Sequence, residues 1–437
     1  MKQSSTCFKT LAALVLLPAS YSVQAASESE IETLRQEFDA RIKVLEQQID
    51  QQQQSSQSQP NQVQPNAFNP KISLILDGRF ASYQNNPDEY HIPGFAMGSE
   101  SGLAPEGFAI GESELTVSSN VDQDFMGQMT VSFGNDAGET TTDIEEAFFE
   151  TLALGDGFTI RGGRFKSAVG YLNQQHSHAW DFADAPLVYA AFWNGAYNDD
   201  GVRVSWVAPT DLFLEIGMEG FAGEHFPAGG NAASGAGAKV AFVNLGGDFD
   251  ESQSWQAGVS RYTADPKQRE SATLTDTTSF TGSSDVTGIN AVYKWAPNGN
   301  YKDRFFKLQT EYFRREESGD VSLLTSGDAT TYTGTQSGYY IQGVFQFMPQ
   351  WRTGLRYDAL NSDNKGSDLI GTNVLDEAGL ADQGINPKRI SAMLEWDASE
   401  FSRIRLQFNH DQSYQNTDNQ VILQYTMSMG THGAHTF

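Results

Sequence analysis

The chain has 437 residues, a net charge of -27 and 12% aromatic residues. So acidic a balance argues against a nucleic-acid partner, because neutralising phosphates needs a basic face. The aromatic content excludes a disordered acidic chain, and no segment approaches the ~18 uninterrupted apolar residues of a membrane helix.

Residues 1–25 read as a signal peptide. Lys2 and Lys9 supply a positive start, Leu11 to Leu17 a short apolar run, and Val23-Gln24-Ala25 a small-residue cleavage pattern. The run is too short to span a bilayer. Cys7, the only cysteine, leaves with this peptide, so the mature chain is expected to lack disulfides, thiolate metal sites and cysteine nucleophiles. An exported chain without membrane helices is either periplasmic or crosses a membrane as a closed barrel.

Across residues 26–54, Ile31, Leu34, Phe38, Ile42, Leu45 and Ile49 recur at spacings of three and four among Glu, Gln, Arg and Asp. This predicts an amphipathic helix. Its single apolar stripe is marginal alone, so it is expected to form a periplasmic coiled coil with copies of itself; the alternative is a helix lying on its own barrel. Residues 55–69, rich in Gln, Ser and Pro, read as a flexible linker.

From residue 70 onward the period becomes two. Ile72, Leu74 and Leu76 alternate with Ser73 and Asp77; Val202, Val204 and Trp206 with Arg203 and Ser205; Ile404, Leu406 and Phe408 with Arg405 and Gln407. Such strands have one apolar and one polar face. Aromatic residues at strand ends, among them Phe80, Trp206, Trp351, Trp396 and Tyr425, suit an interfacial girdle. Short links at 121–124, 155–156, 208–211, 348–350 and 397–400 alternate with long polar links at 84–106, 222–237, 263–284, 316–335 and 362–386. The fold class is therefore an all-β transmembrane barrel of about 16 antiparallel strands, preceded by a short N-terminal coiled-coil helix. Around Ile144 to Leu154 both faces carry large apolar residues and Glu145, Glu146 and Glu150, so neither face reads as outward. Strict alternation would send Glu145 and Glu146 to opposite faces. The last strand runs through Val421, Leu423, Tyr425, Met427 and Met429, and the chain stops at Phe437.

That C-terminal aromatic is similar to the sorting signal of bacterial outer-membrane barrels. Gly162-Gly163-Arg164-Phe165-Lys166, the Asp200-Gly201-Val202 strand start and the Gly430 to Phe437 tail resemble the phosphate-selective porin family of the O and P type, including relatives with an N-terminal coiled coil. The resemblance implies a trimeric, general or anion-preferring diffusion channel in the cell outer membrane, surrounded by lipid and lipopolysaccharide and passing small hydrophilic solutes. The candidate pore-lining residues carry both signs: Arg79, Arg203, Arg352, Arg356, Arg389, Arg403 and Arg405 against Asp77, Glu112, Glu114, Glu215, Glu219, Asp358 and Glu395. Mixed rings do not predict phosphate selectivity, so that substrate does not carry over.

Residues 166–198 contain seven aromatic residues, from Tyr171 to Tyr197, and few charges. A solvated loop should be polar, so this one is expected to fold into the barrel as a constriction loop; the alternative is an extra pair of lipid-facing strands. His176 and His178, with Asp181 close behind, are competent ligands for zinc or copper. Hydrogen-bonded or gate-lining histidines are the alternative, and His225, His432 and His435 could contribute. The segment from Gly170 to His178 is also similar to outer-membrane proteins labelled zinc-regulated. No resident cofactor is expected beyond such a zinc or a divalent cation on the acidic outer loops. No nucleophile elbow or phosphate loop is present, which argues against an enzyme. The reading is a passive porin, with two alternatives: a zinc-linked protein binding metal at the pore mouth, and a structural barrel tethering the cell wall.

Overall fold

A computed structural model describes residues 70–136, 139–229, 236–273, 276–367, 373–414 and 416–430. The expected signal peptide, coiled coil and linker lie outside the described residues, as do His432, His435 and Phe437.

Eighteen strand segments among the described residues form one antiparallel sheet. Gly107–Ile110 and Ser113–Asn120 both lie against Lys71–Ser82. Arg269–Ala272 continues the edge that Gln253–Ala264 presents to Thr277–Trp295. Merged in this way, the segments make 16 staves. The sheet closes where Lys71–Ser82 pairs with Asp418–Gly430, with Leu74 opposite Met429 and Phe80 opposite Leu423. Closure removes the two free edges that an open sheet would present to hydrocarbon.

The outer surface is apolar. Val202, Leu355, Ile390, Leu406 and Leu423 are all exposed on it, while their chain neighbours Arg203, Arg356, Arg389, Arg405 and Gln424 are buried on the inner face. Near the short turns the rings of Trp351 and Trp396 stack at 6.3 Å, and those of Phe158 and Trp206 meet in a tilted pair at the same separation, in keeping with an interfacial girdle.

Two expectations need correction. Residues 316–335, read as a long loop, are mostly sheet. Phe305–Leu323 and Ala329–Met348, of 19 and 20 residues, pair almost to their tips. They are about twice as long as the ~9–11 residues that cross a bilayer. Beyond the lipid the outward face meets water, so Thr331, Thr333 and Thr335 need not be apolar, and the alternation that marks a membrane strand disappears although the hydrogen-bond ladder continues. Much of 263–284 is likewise strand.

The second concerns Glu145 and Glu146. Thr130 pairs with Glu146, yet the next residue, Val131, pairs with Ile144, so Glu145 is an inserted residue in a β-bulge. A bulge breaks strict alternation. Both carboxylates therefore point to the interior, where both are buried.

Candidate functional site

After the strand Phe158–Lys166 the chain turns into the barrel. It passes through two short 3-10 turns, Leu172–Gln174 and Ser177–Ala179, and the helix Leu187–Trp193 before rejoining the wall at Asn198–Val207. All seven helix residues are buried. A helix apolar all round is stable only when surrounded, and this one is enclosed by inner-face residues. Trp193 meets Tyr262 and Phe313 edge-on, Tyr189 meets Phe313, and the Arg315 guanidinium lies over the Phe192 ring. Asn194 ends the helix in a left-handed conformation with φ 53°, which asparagine tolerates better than most residues.

Backbone groups of this segment are satisfied by wall side chains. Tyr171 and Leu172 N–H donate to Glu311, which also accepts from the hydroxyls of Tyr189 and Tyr340. Gly170 sits so close to Glu311 and Tyr189 that a Cβ there would fall 2.3 Å from the carboxylate. Arg405 donates to the Trp180 carbonyl, Arg403 to that of His178 and Arg389 to that of Ala185. Asp184 accepts from Arg356 at 2.7 Å, Gln407 at 2.7 Å and Asn409 at 2.9 Å. Burial would raise its pKa, but Arg389 and Arg356 hold it well below the ordinary aspartate range. Glu311 was not singled out from the sequence: nothing in a mid-strand Glu reveals that four donors converge on it.

Lower in the lumen, His176 reaches three carboxylates. Its Nδ1 lies 2.9 Å from Glu145 and 3.0 Å from Glu114, and its Nε2 lies 3.0 Å from Glu146. Burial pushes the imidazole pKa down, but Glu145 and Glu114 outweigh it and hold it well above the usual histidine range. His178 stacks on His176 at 5.7 Å and contacts Glu114 at 2.8 Å. Ser177 donates to Glu112, and Lys166 pairs with Glu145.

The structure brings His176 and His178 together and sends Asp181 elsewhere. Asp181 pairs with Lys307 at 2.9 Å and accepts from Gln342, so it is no partner of the imidazoles. The two imidazoles meet across the 3-10 turn Ser177–Ala179. His225 contacts the Asn198 carbonyl, and Asn198 donates to the Glu145 carbonyl, which leaves His225 one residue removed from the cluster.

The candidate pore residues divide in two. Arg203, Arg356, Arg405, Glu114 and Asp358 are buried among loop contacts or wall ion pairs and do not line open water. Arg79, Arg352 and Arg403 keep partly exposed side chains. Glu112 holds the Ser177 hydroxyl, and Glu215 accepts from Asn244.

A family model described as phosphate-selective porin O and P matches residues 84–377. An uncharacterized protein of Aquifex aeolicus is 30% identical over 398 residues, which cover 85% of this chain and 80% of the relative. Among solved structures, a loop L8 deletion mutant of OmpT, an outer membrane protein of Vibrio cholerae, superposes with a TM-score of 0.52 at 10% identity, covering 83% of this chain and 100% of that one. The trimer form of in-vitro folded OmpT gives 0.51 at 10% identity, with 83% and 100% covered. At that identity the likeness shows a shared barrel fold.

Proposed function

The chain belongs to the phosphate-selective porin O and P family, passive channels of the outer membrane, and we propose that its pore prefers small anions although the protein as a whole is acidic. The carrying observation is an asymmetry within the inner-face ion pairs. In four of these pairs the cation is the more exposed partner: the Arg79 side chain is 17% exposed against 2% for Asp77, and that of Arg352 is 17% against 0% for Glu395. Lys307 and Arg403 stand in the same relation to Asp181 and Glu395. At these four pairs a passing ion meets the guanidinium or ammonium group before its balancing carboxylate, whereas Asp184 and Asp397 are more exposed than the arginines they pair with. Charges close to the permeation path bias selectivity, whereas exposed charges further away than a Debye length of ~8 Å at physiological salt are screened.

Reversal potential across a potassium chloride gradient in planar bilayers tests this directly. The expected sign is anion preference, moving toward cations in Lys307→Glu and Arg352→Glu. Cation preference in the wild type overturns the selectivity, and a protein that inserts but never conducts overturns the channel itself. The reading includes a homotrimer, in line with the trimer form of OmpT, and no catalytic step. Cross-linking in detergent that yields only monomers would contradict the trimer.

A further inference from the structure

We infer that Glu114, Glu145 and His176 form a binding site for one borderline divalent cation of the zinc, cobalt or nickel type, which pins the inward-folded loop to two barrel strands. The argument begins with a mismatch. Nδ1 of His176 can carry at most one hydrogen, yet carboxylate oxygens from two different strands approach it at 3.0 and 2.9 Å. Nitrogen and oxygen ligands about 2.0–2.2 Å from one ion lie roughly 2.9–3.5 Å from each other, and both nitrogen–oxygen separations fall in that range. The grouping brings one ligand atom each from Glu114, Glu145 and His176 within 4.8 Å of one another.

The surroundings supply the second observation. Metal-bound histidines nearly always donate their other ring N–H to a carboxylate, and ligating carboxylates are themselves held by further partners. Here Nε2 of His176 faces Glu146 at 3.0 Å. The other oxygen of Glu114 contacts His178 Nδ1 at 2.8 Å, and the other oxygen of Glu145 pairs with Lys166. Each ligand therefore keeps one atom for the ion and spends its second on an orienting partner. The β-bulge at Glu145 makes this arrangement possible, because regular alternation would have sent one of the adjacent glutamates outward. One imidazole with carboxylates suits zinc, cobalt or nickel better than calcium or magnesium, which take all-oxygen shells.

The site is independent of ion selectivity, so its test does not use conductance. Full-length protein, stripped with chelator and folded in detergent, is titrated with zinc chloride by calorimetry. The expected result is one zinc per chain, with affinity reduced at least about 10-fold in Glu114→Gln and in Glu145→Gln and unchanged in His225→Ala. Affinity equal to that of the wild type in both Gln variants assigns any bound zinc to surface acids and overturns the proposal, as does a wild type that binds no zinc. X-ray absorption of the zinc-loaded wild type needs no variant to fold. It should show a shell of one or two imidazoles and oxygens, and a shell without imidazole overturns the assignment.

Discussion

Asp184 holds the inward segment against three strands through Arg356, Arg389, Gln407 and Asn409. Its pKa is depressed in the folded chain, so the sign of its pH effect follows. The ionised form is the one stabilised. Its contribution is complete above the unfolded aspartate value of ~3.9 and is lost as pH falls through the lower native value. Wild type should therefore melt at a higher temperature than Asp184→Asn at pH 6, and the gap should close in strong acid. Thermal unfolding in detergent at both pH values measures it, and a gap that widens on acidification would contradict the role. At the same scale, His176 and His178 stood out in the sequence as unusual, and Glu114, Glu145 and Glu146 were noted without being read as their partners. Glu114 and Glu145 come from strands more than twenty residues away, and their approach depends on an inserted residue whose presence no hydropathy pattern reveals.

Among the elements, the helix Leu187–Trp193 is the one whose composition makes sense only in place. Seven consecutive residues without a charge would be a poor exposed loop, and all seven are buried between the barrel walls. Trp193 is 1% exposed and packs on Tyr197, Tyr262 and Phe313. Truncating it to alanine removes a large buried ring, for which about 3–5 kcal/mol is typical. Because the barrel strands retain their own ladders, the loss should fall on the loop. Trp193→Ala is expected to speed hydrogen exchange of loop amides at 187–193 while leaving strand amides such as Gln342 protected. Equal acceleration in both places would show that the loop and the wall unfold together.

The whole molecule depends on closure. Asp418–Gly430 pairs with Ser402–Asp411 on one side and with Lys71–Ser82 on the other, so deleting residues 418–437 opens two long edges at once. Unpaired backbone groups in hydrocarbon each cost several kcal/mol. The truncated chain should give no heat-modifiable folded band on gel electrophoresis, and a folded band would mean that a smaller barrel closes without this strand. By itself the sequence determined the class of this protein: strict alternation records which face meets lipid, and that demand is local, repeated at every second residue and independent of partners. It also marked residues 166–198 as too apolar for a solvated loop. Only the tertiary structure decided where the charges act. Arg203, Arg356 and Arg405 read as equals of Arg79 and Arg352 in a strand pattern, yet the inward segment buries the first three and leaves the last two in reach of water. The height of the Phe305–Leu323 and Ala329–Met348 hairpin was hidden for a related reason. Above the bilayer a strand no longer needs an apolar outer face, and the periodic signal ends where the lipid does.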